Sequence, residues 1–287
     1  MFGALWTAMR PRSWIRSALV FVPLISSRNF LQPVAIERAI AVFAGFSLLS
    51  SAVYLFNDVT DRHADARHPL KRNRPVAAGR VSVRAALTLA AVLLAGALAV
   101  ALSLGSGTLA ALFIGYLVMN VAYSLWLKSL VLVDTLVVAA GFLLRAVAGA
   151  AAIRVEVSPW LFIVALFASL SVALLKRRAE MIAGADQAVT QRAVLAEYSA
   201  TLLDQLVAIS TASANISYAL YTFNSPHSRA LMFTMPLFIY GVSRYLYLVY
   251  QRGYGEAPEE VLLRDRPFQI NLLLYAAVSL AILVTTE

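Results

Sequence analysis

The chain contains no cysteine, which excludes disulfides and thiolate metal sites. Charge is scarce: 14% of the 287 residues are Asp, Glu, Lys or Arg, against about one quarter in soluble domains. With 61% of residues hydrophobic, too little polar material remains to cover a soluble protein of this length. Histidine occurs only three times, and no Ser/His/Asp or Cys/His constellation is present. The opening "MFGALWTAMRPRSWIRS" has no short apolar region leading to a small-residue cleavage site, so no signal peptide is expected. Lys and Arg outnumber Asp and Glu by 24 to 15. No soluble basic domain carries that excess, so nucleic-acid binding is not expected.

What is present is a series of apolar runs near 20 residues long. Nine can be drawn, at about 14–31, 35–56, 83–104, 107–126, 131–152, 158–178, 200–222, 231–250 and 267–285. They predict an all-α, polytopic membrane protein of nine transmembrane helices in one integral-membrane domain. Pro23 interrupts the first run and predicts a kink or a short helix there. "LGSGT" joins the third and fourth as a tight glycine turn. Most Lys and Arg flank the runs on one side, including Arg10, Arg12 and Arg16 and those within 57–82, 176–199 and 251–266. Only Arg28, Arg38, Arg154 and Arg229 fall on the other side, while Arg145 and Arg244 lie inside runs. The positive-inside rule then predicts a cytoplasmic N-terminus and, after nine crossings, a C-terminus outside, in the plasma (inner) membrane. The three loops, about 57–82, 176–199 and 251–266, would form a cytoplasmic mouth. Much of the net charge of +9 serves topology and attraction to anionic headgroups.

Topology does not require the acids in "NDVTDRHADARHPLKRNRPVAAG", residues 57–79. Asp58, Asp61 and Asp65 are spaced i, i+3 and i+7. On a continuing helix they would fall within a roughly 60° arc. Three carboxylates on one face repel one another unless a cation sits among them. A hard divalent cation such as Mg²⁺ takes oxygen ligands and bridges to substrate phosphates. The other reading is a solvated acidic turn neutralised by neighbouring arginines. Asn57 can add an amide oxygen, and Lys71, Arg72 and Arg74 follow within ten residues of Asp65 as phosphate partners. Pro69 and Pro75 would stiffen this loop, and His63 and His68 read as polar loop residues.

"NDVTDRHAD" fits the N-D-x-x-D-x-x-x-D pattern and resembles the UbiA superfamily of intramembrane prenyltransferases. The resemblance implies nine transmembrane helices around a central cavity, with the Asp motif binding a magnesium diphosphate at the cytoplasmic mouth. "HPLKRNRPVAAG", "RPRSWIRSALVFVPL", "YSLWLKSLVLVDTLVVAAGFLLRAVAGA" and "EAPEEVLLRDRPFQ" resemble one branch more closely, the polyprenyl-phosphate (in mycobacteria, decaprenyl-phosphate) phosphoribosyltransferases. The aromatic prenyltransferases of the superfamily carry a second D-x-x-x-D motif after the sixth span. Here "KRRAE" stands in its place: Lys176, Arg177, Arg178 and Glu180. Cations there suit a donor that brings extra phosphate, although the same residues also end a span as a positive-inside anchor.

Charges within the runs are costly and usually face a cavity. Tyr123, Lys128 and Asp134 flank the turn after the fourth run, with Asp134 in reach of Lys128 or a substrate. Arg145 lies eleven residues beyond Asp134, about 16 Å along one helix; a substrate role and hydrogen bonding to neighbouring helices are both open to it. Gly141, Ala148 and Gly149 predict close helix packing. Asn215, Tyr218, Tyr240, Arg244 and Tyr247 can line a polar cavity, with an interhelical hydrogen bond the other role for Asn215. Arg264 and Asp265 are expected to contact a ligand from the loop after the eighth run.

The expected reaction is Mg²⁺-dependent transfer of 5-phosphoribosyl from phosphoribosyl diphosphate to a polyprenyl phosphate, with Asp58 and Asp61 central. The alternatives are prenyl transfer to an aromatic acceptor and transport of an anionic solute or lipid. A homo-oligomer is compatible with all three.

Overall fold

The computed structural model describes residues 2–67, 71–185, 193–225, 228–255 and 258–285. Its helices, in chain order, are α1 (Phe2–Met9), α2 (Val22–Ser26), α3 (Pro33–Thr60), α4 (Arg62–Arg67), α5 (Val83–Ser103), α6 (Gly107–Leu125), α7 (Val133–Ile153), α8 (Pro159–Ala185), α9 (Ala200–Phe223), α10 (Met235–Arg252), α11 (Pro258–Arg264) and α12 (Arg266–Thr285). A 3-10 run, Pro11–Phe21, precedes α2. Among the described residues no strand occurs, and seven helices are long and apolar enough to cross a membrane. The protein is therefore an all-helical, multi-pass membrane protein.

One prediction needs correction. The first apolar run, 14–31, is not a single transmembrane α-helix: it is the 3-10 run followed by the five-residue α2 and a short 3-10 turn, Asn29–Leu31. Pro23 sits in the first turn of α2, where its missing N–H is tolerated; Arg28 adopts a left-handed conformation (φ 61°) that stops the winding. The seventh run forms α9, 24 residues long, but α9 is not among the seven spans.

By packing, the described residues fall into two units. The first comprises Met1–Val137 and Leu144–Glu156. At its centre is α3, whose buried residues from Ala35 to Leu55 are apolar except for Ser47, Ser50 and Ser51. Its most apolar stretch is 61% buried, against 28% for α5 and 22% for α6, so α3 is the element the others surround. Phe46 of α3 meets Phe113 of α6 edge-on at 4.6 Å, within a core shared with Val42, Leu49, Ala97 and Leu109. Because lipid tails are as apolar as leucine, fit between surfaces rather than hydrophobicity selects such contacts. The α5–α6 connection is the expected tight turn: Gly105 takes φ 66°, which favours glycine, and the Ser106 hydroxyl accepts from Leu109 N to cap α6.

The second unit comprises Val138–Leu143, Val157–Ala188 and Ala193–Glu287. Its most extensive pairing is α8 with α9. A groove of about 580 Å³ runs beside α9 and α10, lined by Asp204, Thr211, Asn215, Tyr247 and Tyr250 among others. Tyr218 is not on the groove. It is buried and bonded to Thr234 Oγ1 at 2.5 Å and Tyr275 Oη at 2.9 Å.

Candidate active site

The sequence "NDVTDRHAD" straddles a helix break. α3 runs on past Phe56 to Thr60, Asp61 closes it by donating its N–H to Asn57 O, and α4 restarts at Arg62. The one-face geometry expected of three aspartates on a continuous helix is therefore interrupted at the middle one. Asp58, on the last turn of α3, is 1% exposed. Its Oδ1 receives Arg10 Nη2 at 2.5 Å and Arg74 Nη1 at 3.4 Å. Asp65, buried in α4, receives the same Arg74 Nη1 at 2.6 Å on Oδ2. Asp61 turns instead to Lys128 Nζ at 2.7 Å. Among the described residues no three His, Asp or Glu side chains gather tightly enough to hold one ion together.

The Asp58 site nonetheless suits a hard cation. Asp58 Oδ2 is buried and has no hydrogen-bond partner among the described residues. A buried carboxylate oxygen left without a donor is costly, and an oxygen-seeking divalent ion would satisfy it. Asp65 is linked to the same centre through Arg74.

Around this centre, Asn57 Oδ1 accepts from Ser124 Oγ, which ties α3 to α6. Tyr123 is half-buried beside Ser124. Lys71 is half-buried and Arg72 exposed in a 3-10 turn, Lys71–Asn73. Arg80 Nη2 donates to Asn73 O at 2.5 Å and holds that turn in place. Gly79 at φ 70° and the Ser82 cap on Ala85 N then launch α5. Asp134 is fully buried in the first turn of α7, but Lys128 does not reach it and bonds Asp61 instead.

Arg145 is 4% exposed. Its Nη2 donates to Ser50 Oγ at 2.9 Å and Tyr116 Oη at 2.8 Å. It stands 4.9 Å from the Tyr116 ring centre. These contacts favour the interhelical role.

In the second unit, buried Arg177 pairs with Glu180, and Lys176 Nζ lies 4.0 Å from Glu180 Oε1. Arg178 is used in packing: its Nε donates to Asp204 Oδ1 at 2.5 Å, and its guanidinium lies 4.0 Å over the Tyr250 ring. Exposed Arg264 meets Glu260 at 3.6 Å. Asp265 is engaged by Arg244 through two bonds, 3.1 and 2.8 Å, and caps α12 by accepting from Phe268 N. The Arg244 hydrogen bond holds the Asp265 carboxyl below the usual carboxylate range, against the opposing effect of burial. Asn215 Oδ1 is buried without a hydrogen-bond partner among the described residues, so this oxygen lacks the bond anticipated for it. His68, Pro69, Glu256 and the stretch 186–192 lie outside the described residues.

Sequence reasoning missed two participants. Arg10 counted only as a topology charge, and Ser124 was not singled out. Neither is spaced periodically from the Asp motif, lying 48 and 67 residues from Asp58 and Asn57 respectively.

A membrane-embedded helical protein with acids and cations interleaved at the end of a central helix is equipped to handle phosphate. Residues 17–273 match the UbiA prenyltransferase family model, and the chain belongs to that family of transferases. It is similar to decaprenyl-phosphate phosphoribosyltransferase of Mycobacterium tuberculosis, 34% identical over 275 residues, covering 94% of this chain and 91% of the relative. Its similarity to the protein of the same name in Corynebacterium glutamicum is 35% over 275 residues, covering 93% and 82%. Among solved structures, a UbiA homolog from Archaeoglobus fulgidus bound to GPP and Mg²⁺ matches with a TM-score of 0.77 at 19% identity, covering 98% of this chain and all of that one.

Proposed function

We propose that the chain transfers 5-phosphoribosyl from phosphoribosyl diphosphate to a polyprenyl phosphate, giving polyprenyl phosphoryl 5-phosphoribose and pyrophosphate. The observation that carries this reading is similarity to the named phosphoribosyltransferases over 94% of the chain, which includes both charged sets. The cation-rich "KRRAE" supports it, since a phosphorylated sugar presents more negative charge than a prenyl diphosphate.

Asp58 and Asp65, with Asp61 after release from Lys128, are the residues that would hold Mg²⁺. When bound, the ion supplies positive charge to the diphosphate oxygens as they leave. Arg74, Lys71 and Arg72 are placed in sequence to meet phosphate oxygens, with Lys128 as a further cation. Lys176, Arg177, Glu180, Tyr123, Asp134 and Arg264 remain proposed substrate contacts. In the bond-making step an oxygen of the lipid phosphate attacks C1 of the sugar as the C1–O bond to pyrophosphate breaks. The acceptor is already an anion near neutral pH, so no strong general base is needed. The polyprenyl tail would lie against apolar helix surfaces. The same reading places the protein in the plasma membrane with its N-terminus cytoplasmic and its C-terminus outside.

A second reading, prenyl transfer to an aromatic acceptor, is favoured by the likeness to the GPP-bound fold neighbour. The test offers purified protein and Mg²⁺ two substrate pairs: phosphoribosyl diphosphate with polyprenyl phosphate, and prenyl diphosphate with an aromatic acid. Product is expected only from the first pair, falling at least 100-fold in Asp58→Asn, the scale of a lost electrostatic contact in catalysis. Product only from the second pair would select the prenyltransferase reading.

A further inference from the structure

The N-terminal segment is fastened to the face of α3 that ends in Asp58. Ser51, Tyr54 and Asp58 lie at i, i+3 and i+7 and share that face. Ser51 Oγ donates to Met9 O at 2.9 Å and accepts from Trp14 Nε1 at 2.9 Å. The joint between α1 and the 3-10 run is thereby held on both sides. At the joint, Arg10 takes φ 54° and ψ 60°, a left-handed conformation uncommon for any residue but glycine. Its guanidinium lies 4.9 Å over the Tyr54 ring and 2.5 Å from Asp58 Oδ1.

Burial is asymmetric. The Asp58 side chain is 1% exposed, whereas those of Arg10 and Arg74 are 32% and 29% exposed. The two arginines are the solvent-facing cover of a buried carboxylate, so an ion arriving from water meets them first. Arg74 has a second anchor in Asp65 at 2.6 Å and only a long 3.4 Å contact to Asp58. Arg10 makes the short contact and has no second carboxylate partner among the described residues. Of the two, Arg10 is the one whose departure uncovers Asp58 without dismantling another ion pair.

We propose that Arg10 is a displaceable counter-ion: it neutralises Asp58 before the metal arrives, and a divalent cation must dislodge it to reach the carboxylate. This rests on the reading of Asp58 as a metal-holding residue. A buried carboxylate cannot stay ionised alone at small cost. A resident arginine keeps the end of α3 folded and charged until the ion replaces it. Arg10 then acts through Asp58 as a positioning residue.

The test uses full-length protein in detergent with no substrate, titrated with MgCl₂ while the thermal unfolding midpoint is read. Arg10→Gln is expected to unfold at lower temperature without metal. Its magnesium-induced stabilisation is expected at about tenfold lower concentration than in the wild type, the equivalent of about 1.4 kcal/mol. Arg10→Lys keeps the charge but loses the guanidinium fork, so its midpoint should move the same way by less. It carries the test if Arg10→Gln fails to fold. Exposed Arg12→Gln should titrate like the wild type. A wild-type response abolished by Asp58→Asn but unmoved by the Arg10 variants overturns the counter-ion role alone. Absence of any magnesium response in every protein overturns both this role and the metal reading of Asp58.

Discussion

Arg145 lies in the body of α7 with its guanidinium bonded to Ser50 and Tyr116. A charged side chain at such depth costs about 2.5–3.5 kcal/mol on insertion scales. The hydroxyls of α3 and α6, with the ring faces of Tyr116 and Phe46 at 4.9 and 5.8 Å, offset that cost. Tyr116→Phe keeps the ring and removes one acceptor. Charge-assisted hydrogen bonds contribute more than neutral ones, and interhelical bonds in membranes contribute less than those in water. The expected loss is about 1–2 kcal/mol, seen as a lower unfolding temperature in detergent with the donor KM unchanged. A raised donor KM at unchanged stability would instead make Arg145 and its partners part of the substrate site. The contrast with Asp58 is instructive. Both are buried charges, but Arg145 donates to neutral hydroxyls from neighbouring helices, while Asp58 is met by two cations, Arg10 and Arg74.

At the scale of elements, Gly149 decides how closely α7 approaches the 3-10 run. A Cβ built there would stand 2.1 Å from Val20 O and 2.9 Å from Val20 C. These are backbone atoms, which cannot swing aside as a side chain would. Gly149→Ala is expected to cost about 2–3 kcal/mol, at the upper end of ordinary overpacking, and to lower the unfolding temperature. Gly115→Ala, with nothing within 4 Å of the added atom, is the control and should be neutral or slightly stabilising. Helices such as α5 and α6 were legible in the sequence to within a residue, because an apolar run bounded by a glycine turn has one reading. The first run was legible only in part. Pro23 marked a kink or a short helix, and α2 is short, but the left-handed turns at Arg10 and Arg28 fall at points that hydropathy does not register. The Asp motif was likewise legible as a group, while its pairing was not. Arg10 reaches Asp58 across 48 residues and Lys128 reaches Asp61 across 67, and contacts at such separations leave no periodic mark. The helix break at Asp61, which sends that carboxylate away from its neighbours, is set by tertiary contacts of this kind rather than by the spacing of the acids.

For the whole molecule, the open quantity is the number of membrane crossings, and its parity has a measurable consequence. Among the described residues, seven helices qualify by length and composition. α9 is long enough at 24 residues, but polar residues such as Ser210, Thr211, Asn215 and Ser217 lower its hydropathy. If it crosses as well, its extensive packing along α8 gives those polar groups protein neighbours instead of lipid, and the count is eight. The ninth depends on Pro11–Ser26. A 3-10 helix rises about 2.0 Å per residue, so the 11 residues of Pro11–Phe21 advance roughly 22 Å. The five residues of α2 add roughly 7 Å. The sum approaches the hydrocarbon thickness of about 30 Å, which an α-helix of the same residues would not reach. Nine crossings put the two ends on opposite faces, and eight put them on the same face. With no native cysteine, single introduced cysteines report without background. In intact cells, Thr285→Cys and Thr108→Cys are expected to react with a membrane-impermeant maleimide. Gly3→Cys and Ala78→Cys should react only after permeabilisation. If Gly3→Cys instead reacts in intact cells while Ala78→Cys stays inside, the 3-10 run does not cross; if Thr285→Cys is protected while Ala78→Cys stays inside, α9 does not cross.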